Sequence, residues 1–189
     1  MVTSDDLKMA SEAIRDGKVV LYPTDTVWGI GCDATDSAAV KRIYRLKQRV
    51  DSKAMLVLVD SLDRARSIAD VTDVASGLLD SADGRPTTVV LPGARNVAPE
   101  LVADDGSIGV RITHEAFSAE LCRLSGVPLV STSANISGRP SAKFFADIAS
   151  GIIAEVDYVC RERRDDRTET EPSRIVKVEN DGTVKILRP

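Results

Sequence analysis

The sequence predicts an α/β fold: one domain over residues 1–189, with a twisted mixed sheet flanked by helices. Three observations carry this. Short apolar runs alternate with amphipathic stretches along the whole chain. No repeat and no linker divides it, and 189 residues is the size of one domain. The chain closes on a hairpin around Asn180-Asp181-Gly182, so a sheet otherwise built by strand–helix alternation must contain antiparallel pairs.

The first element is a helix: Thr3 or Ser4 caps it, Leu7, Ala10 and Ile14 recur on one face, and Gly17 stops it. Val19 to Tyr22 is a short buried strand closed by Pro23, and Val27 to Cys32 is a second apolar stretch after the polar Thr24-Asp25-Thr26. Ser37 is placed to cap a helix over 38–48. Ala54 to Val59 reads as a buried strand, followed by helices near 61–69 and 72–80 and by the strand Thr87 to Leu91. Ser107 to Ile112 is the next strand, and Thr113 can cap a helix that carries Phe117, Leu121 and Leu124 and ends at Gly126. Leu129 to Ser131 is strand-like and enters the polar loop 132–141, whose Ser141 is expected to cap a helix bearing Phe144, Phe145, Ile148 and Ile152. Tyr158 to Cys160 is strand-like, and the mixed-charge run 161–172 is expected to be a mobile, solvated loop.

Composition removes several chemistries. The 25 basic and 29 acidic side chains leave a net charge of −4, which disfavours non-specific binding to duplex nucleic acid over the whole surface but leaves room for a local basic site. A lone histidine, His114, rules out a multi-histidine metal centre; at a helix amino end it reads as a surface or capping residue. Cys32, Cys122 and Cys160 are odd in number and far apart, which suits small buried hydrophobes in a reducing, cytoplasmic setting and not a disulfide framework. The acidic amphipathic amino terminus and the absence of any run of ~20 apolar residues predict no signal peptide and no membrane partner. No phosphate-binding G-x-x-x-x-G-K-[ST] loop occurs. Gly29-x-Gly31-x-x-Ala34 fits a dinucleotide fingerprint only superficially, because Asp33 would face the pyrophosphate and the helix begins too late, at Ser37.

Lys47 is the most informative position. It shares a helical face with Val40 and Ile43, the face turned to the core. Two readings stand open: the stem packs while the ammonium escapes past the helix end, or the cation points into a cavity together with Arg49 and Lys53. The loop Ser131 to Ser141 carries five hydroxyls and one amide after a strand, where α/β sheets collect anionic ligands. Its bland alternative is a polar turn in which Asn135 and Gly138 take positive φ.

The blocks YPTDTVWGIGCDA (22–34), LKQR (46–49), SIGVRI (107–112), STSANISGRPS (131–141) and PSRIV (172–176) occur in order along nearly the whole chain. Together they resemble the YrdC-like family, whose characterised members are L-threonylcarbamoyladenylate synthases. The resemblance implies a twisted α/β sheet with a deep, basic cavity. It also implies a reaction in which L-threonine, bicarbonate and ATP give threonylcarbamoyl-AMP and pyrophosphate. Mg²⁺ would arrive with the nucleotide, and a partner transferase would pass the threonylcarbamoyl group to adenosine 37 of ANN-decoding tRNAs.

The family's KxR…SxN constellation falls on Lys47, Arg49, Ser133 and Asn135. By motif position the resemblance assigns threonine to Thr26, Arg111, Ser131 and Ser173, and ATP to Arg49, Lys53, Ser107, Ser133, Ser141 and Arg188. The chain departs from the pattern where Val50 replaces the proline after KxR, where Ala54-Met55 follows Lys53, at Leu58 in place of a histidine, and at Arg174 within PSRI. A competing reading from another functional class is a non-catalytic module that holds tRNA or double-stranded RNA in the same basic concavity, with a steep salt dependence.

Overall fold

A computed structural model describes residues 4–48, 55–81, 84–179 and 181–189. Nine strands form one mixed sheet: β1 (Val20–Tyr22), β2 (Gly29–Gly31), β3 (Leu56–Val59), β4 (Thr87–Leu91), β5 (Ile108–Ile112), β6 (Leu129–Ser133), β7 (Tyr158–Val159), β8 (Arg174–Val178) and β9 (Val184–Arg188). Their spatial order is β7-β1-β2-β6-β3-β5-β4-β8-β9. Three neighbouring pairs are parallel, β7 with β1, β3 with β5, and β4 with β8. The closing β8–β9 hairpin is antiparallel, as its turn residues require. This is the expected fold class.

The helices are α1 (Ser4–Arg15), α2 (Ser37–Leu46), α3 (Leu62–Ile68), α4 (Asp73–Leu79), α5 (Ala116–Ser125) and α6 (Ser150–Glu155). In α1 the apolar stripe Leu7, Ala10 and Ile14 is buried, and Ala10 and Ile14 are wholly inaccessible. No helix among the described residues is long and apolar enough to cross a membrane. All three cysteines are buried and free.

Four local expectations are corrected. Asp36, one residue before Ser37, caps α2, because its carboxylate reaches the amides of both Ala38 and Ala39. Glu115 replaces Thr113 as the cap of α5, taking the amides of Phe117 and Ser118 on its two oxygens. Ser141 caps no helix; the chain stays irregular until a short 3₁₀ turn at Phe145–Asp147, and α6 starts only at Ser150. Phe144 and Phe145 are drawn instead into cation–π contacts with Arg167 and Arg164, which a regular helix from 142 would not have presented this way.

The fourth correction concerns residues 161–172, which are tied down. Asp6 of α1, buried, accepts hydrogen bonds from Tyr158 Oη at 2.6 Å and from the amides of Arg161 and Glu162 at 2.7 and 2.9 Å. Arg163 donates to the Thr24 carbonyl at 2.9 Å, Arg164 donates to the carbonyls of Val159 and Cys160, and Thr170 donates to the Thr26 carbonyl. A guanidinium has five donors in a fixed fork, so an arginine-rich run can fasten itself to main-chain oxygens as readily as it can be solvated. Asp6→Asn replaces one of the two acceptor oxygens with an N–H donor and removes the charge from all three hydrogen bonds, and the loss is expected to reach about 2 kcal/mol. Thermal unfolding followed by circular dichroism should then show a fall of roughly 4–8 °C; an unchanged midpoint would mean that Asp6 does not anchor this segment.

Candidate active site

The sheet register gathers the site. Side chains alternate across a strand, and laterally paired residues share a face. Gly29 pairs with Ser133, Leu56 with Ser131, Leu58 with Arg111, Gly109 with Val90, Thr88 with Ile175, and Ile175 with Arg188. One face therefore carries hydroxyls from β6 and β4 and guanidinium groups from β5 and β9. Above it lies a cavity of about 510 Å³, completed by Thr24, Thr26, Ser107, Ser141 and Pro172 from the surrounding loops. Among the described residues, none that lines it is an aspartate or glutamate.

The glycines of β2 have a structural purpose. A Cβ on Gly31 would stand 2.2 Å from the Val130 carbonyl oxygen and 2.7 Å from the Tyr22 ring. The Tyr22 ring occupies that space, with its hydroxyl donating to Val130 O at 3.2 Å. Burial pushes the Tyr22 phenol far above its usual range. Gly29-x-Gly31 is thus a strand that admits an aromatic ring.

Of the residues singled out in the sequence, Thr26, Ser107, Arg111, Ser131, Ser133, Ser141 and Arg188 line the cavity. Ser173 lies just behind the wall: its hydroxyl pairs with that of Thr88 at 3.1 Å and accepts from Arg188 Nη2 at 3.1 Å, while Arg188 Nε donates to its carbonyl at 2.9 Å. Ser107 donates to Asp105 at 2.6 Å, and Asp105 also pairs with Lys177 at 2.8 Å, which together hold its carboxyl below the usual range. Arg49, Lys53, Val50 and Ala54 lie outside the described residues. Leu58 is fully buried beside Arg111 in the sheet, and Arg174 donates to Thr87 Oγ1 at 2.9 Å.

Lys47 takes neither of the two positions that the sequence leaves open. Its side chain is buried at the carboxyl end of α2, but it does not line the cavity. The ammonium donates to the carbonyl of Ser133, to the carbonyl of Asn135 at 2.7 Å, and stands 3.4 Å from Asn135 Oδ1. Ser133 Oγ in turn donates to Asn135 Oδ1, and Asn135 Nδ2 donates to the carbonyls of Ile136 and Arg139 at 3.1 and 2.6 Å. Lysine, serine and asparagine form one cluster that fixes the end of β6. The helical face was read correctly; the loop that β6 brings over the end of α2 could not be foreseen, and it meets the ammonium before solvent or cavity does.

Arg111 is buried, and its Nη2 stands 3.1 Å from Asp25 Oδ1. Its Nε has no hydrogen-bond partner among the described residues. Burial pushes the Asp25 carboxyl above the ordinary aspartate value, and the Arg111 charge opposes this. Arg188 is shifted below the ordinary arginine value, first by burial and then by the positive charge of Arg111. Two like charges facing one cavity, one with an unspent donor, suit an anionic ligand. The sequence reading overlooked Asp25, although it stands inside the quoted YPTDT block, between the two threonines that shape the loop.

The profile of the family described as Sua5/YciO/YrdC, telomere recombination, matches residues 12–189. The chain belongs to the Sua5/YciO/YrdC family. Among its curated family relatives are the threonylcarbamoyl-AMP synthase of Xanthomonas campestris pv. campestris strain B100, 33% identical over 162 residues, which are 84% of this chain and 87% of that protein. A putative threonylcarbamoyl-AMP synthase of Methanocaldococcus jannaschii is 34% identical over 185 residues, 95% of this chain and 84% of that protein. Among solved members of the Sua5/YciO/YrdC family, P. abyssi Sua5 complexed with L-threonine superimposes with a TM-score of 0.85 at 28% identity, covering 97% of this chain and 53% of the Sua5 chain. This chain thus spans about half the length of that protein. E. coli YciO, at 24% identity and a TM-score of 0.85 over 98% of this chain and 89% of its own, shares the fold.

Proposed function

We propose that this protein is a threonylcarbamoyl-AMP synthase, a nucleotidyltransferase that joins L-threonine, bicarbonate and ATP and releases pyrophosphate. The observation that carries the reading is the cavity itself: hydroxyls and two arginines on one sheet face, with no carboxylate among the described residues that line it. The substrates are a carboxylate, a carbonate and a triphosphate, so such a lining is what the chemistry demands. The relatives named threonylcarbamoyl-AMP synthase, and a Sua5 structure that contains L-threonine, support the catalytic reading over the RNA-binding one.

In this reading Arg111 takes the threonine carboxylate as a charge-assisted pair, with Thr26 and Ser131 beside it and Ser173 bracing Arg188 behind the wall. Ser107, Ser133, Ser141 and Arg188 face ATP, joined by Arg49 and Lys53. The threonine amine attacks CO₂ and gives up a proton, or attacks bicarbonate with loss of water; the carbamate formed attacks the α-phosphate, and pyrophosphate leaves. No covalent protein nucleophile is needed. Catalysis is positioning plus neutralisation of the charge that develops on phosphate oxygens. Mg²⁺ would come with the nucleotide, held mostly by the phosphates and water, where it would offset their charge. A partner transferase acting on tRNA would consume the product.

The test omits RNA. Purified protein with ATP, threonine and bicarbonate should release pyrophosphate, and each omission should stop the release. Absence of pyrophosphate in the complete mixture would sink the enzyme reading. Tight RNA binding that weakens steeply with salt, in a protein that releases none, would establish the binding module instead.

A further inference from the structure

We infer that Asp25 is a positioning residue: it holds Arg111 in the orientation that receives a carboxylate ligand. It does not line the main cavity. It stands in the wall that separates it from a second cavity of about 350 Å³, which Asp25 lines together with Ile112, His114 and Glu115. Among the described residues it meets the main cavity through its ion pair with Arg111, whose guanidinium lines it.

The geometry favours a device for orientation over one for stability. The ion pair joins two poorly accessible side chains, with 3% of Arg111 and 13% of Asp25 exposed. A buried pair of this kind usually contributes little net stability, because desolvation consumes most of the attraction. What it does supply is a fixed direction. Arg111 comes from a middle strand of the sheet, β5, and one edge of its fork faces Asp25 as a charge contact, Nη2 standing 3.1 Å from Oδ1, while neither that oxygen nor Nε has a hydrogen-bond partner among the described residues. A guanidinium with one edge anchored can present the remaining donors to a carboxylate without first losing its own rotational freedom.

Asp25 is itself held on both sides. Thr24 Oγ1 donates to Val27 O at 2.7 Å and accepts from the Thr26 amide at 3.1 Å, which closes the loop around Asp25. Arg163 and Thr170 fasten the carbonyls of Thr24 and Thr26 from outside. The chain of support therefore runs from segment 161–172 to the loop 24–27, from there to Asp25, and then to Arg111. The other charges near Asp25 are His114 and Glu115 at the start of α5, with Arg163 on the same second cavity.

The identity of the ligand as threonine rests on the function proposed above; the coupling of Asp25 to Arg111 does not. The test is a double-mutant cycle of Asp25→Asn and Arg111→Gln, measured as the threonine KM and the ATP KM in the pyrophosphate assay. Asp25→Asn should raise the threonine KM at least tenfold and move the ATP KM less than twofold. Adding it to Arg111→Gln should cause no further loss. Asp25→Glu, which restores the charge, should recover part of the threonine KM. Equal changes in both KM values, or losses that multiply in the double variant, would overturn the inference. An arginine side-chain ¹⁵N NMR spectrum of the unliganded protein provides the independent arm. Arg111 should show hindered guanidinium rotation in the wild type and free rotation in Asp25→Asn; free rotation in both would also overturn it. If the wild type fails to release pyrophosphate at all, the synthase reading falls, and the spectrum still decides the role of Asp25.

Discussion

Lys47→Met should cost the protein both its turnover and a measurable share of its stability. A lysine that merely reached into the cavity would lose turnover alone. Here the ammonium serves the carbonyls of Ser133 and Asn135 from a buried position. It also lies at the carboxyl end of α2, where a cation meets the negative end of the helix dipole. Methionine keeps the volume and removes the donors, so acceptors are left in the interior at about 1–3 kcal/mol each. We expect a loss of about 3 kcal/mol, seen as a fall of roughly 6–12 °C in the midpoint of thermal unfolding. Turnover should fall by roughly a hundredfold or more, because Ser133 and Asn135 lose the group that positions them. A variant with lost turnover and an unchanged midpoint would mean that the ammonium acts on the substrate. Wild-type turnover would mean that the loop is held without it.

Arg111→Gln should weaken threonine binding steeply while sparing affinity for ATP. A bidentate guanidinium–carboxylate pair comprises two charge-assisted hydrogen bonds, together about 3–6 kcal/mol, or a factor of roughly 10²–10⁴ in affinity. Isothermal titration with threonine and with ATP separates the two ligands; equal losses for both would place Arg111 outside the threonine site. The same substitution has a pH signature. Removing the arginine takes away the largest influence that opposes burial at Asp25, so its folded-state pKa rises further above the unfolded value. An acid raised in the folded state destabilises it above that pKa, and the penalty disappears as the carboxyl takes a proton. The stability gap between variant and wild type should therefore be widest near pH 8 and narrow towards pH 5, as read by urea denaturation. A gap that is constant with pH would show that Asp25 is not the group responsible.

Much of the fold was legible because it depends on patterns within single segments. Leu7, Ala10 and Ile14 repeat at the helical period and are buried; Thr87 to Leu91 is apolar and bounded by Pro86 and Pro92, and it is β4 to the residue. The caps were less legible. Asp36 and Ser37 are both competent N-cap residues, whereas Glu115 is not a favoured one and displaces Thr113 because its two oxygens each reach an amide. The segment 161–172 was misread because charge content reports affinity for water, whereas the outcome depends on whether carbonyls and Asp6 come within reach.

The site divides in the same way. The sequence by itself determined which side chains are available for chemistry, since hydroxyls, arginines and their order along the chain are covalent facts. It also excluded a multi-histidine metal centre, by the single His114, and argued against a disulfide framework, by the odd and dispersed cysteines. Tertiary structure alone decided which of those groups meet. Register across β2, β6, β3, β5, β4, β8 and β9 turned Ser131, Ser133, Arg111, Thr88 and Arg188 to one face, although they are spread over the sequence. It also turned Lys47 onto a loop and set Asp25 behind Arg111. Strand pairing and loop closure are non-local, and a hydrogen bond or ion pair forms only where the chain returns within about 3 Å of itself. That return is a property of the whole fold and of no segment in it.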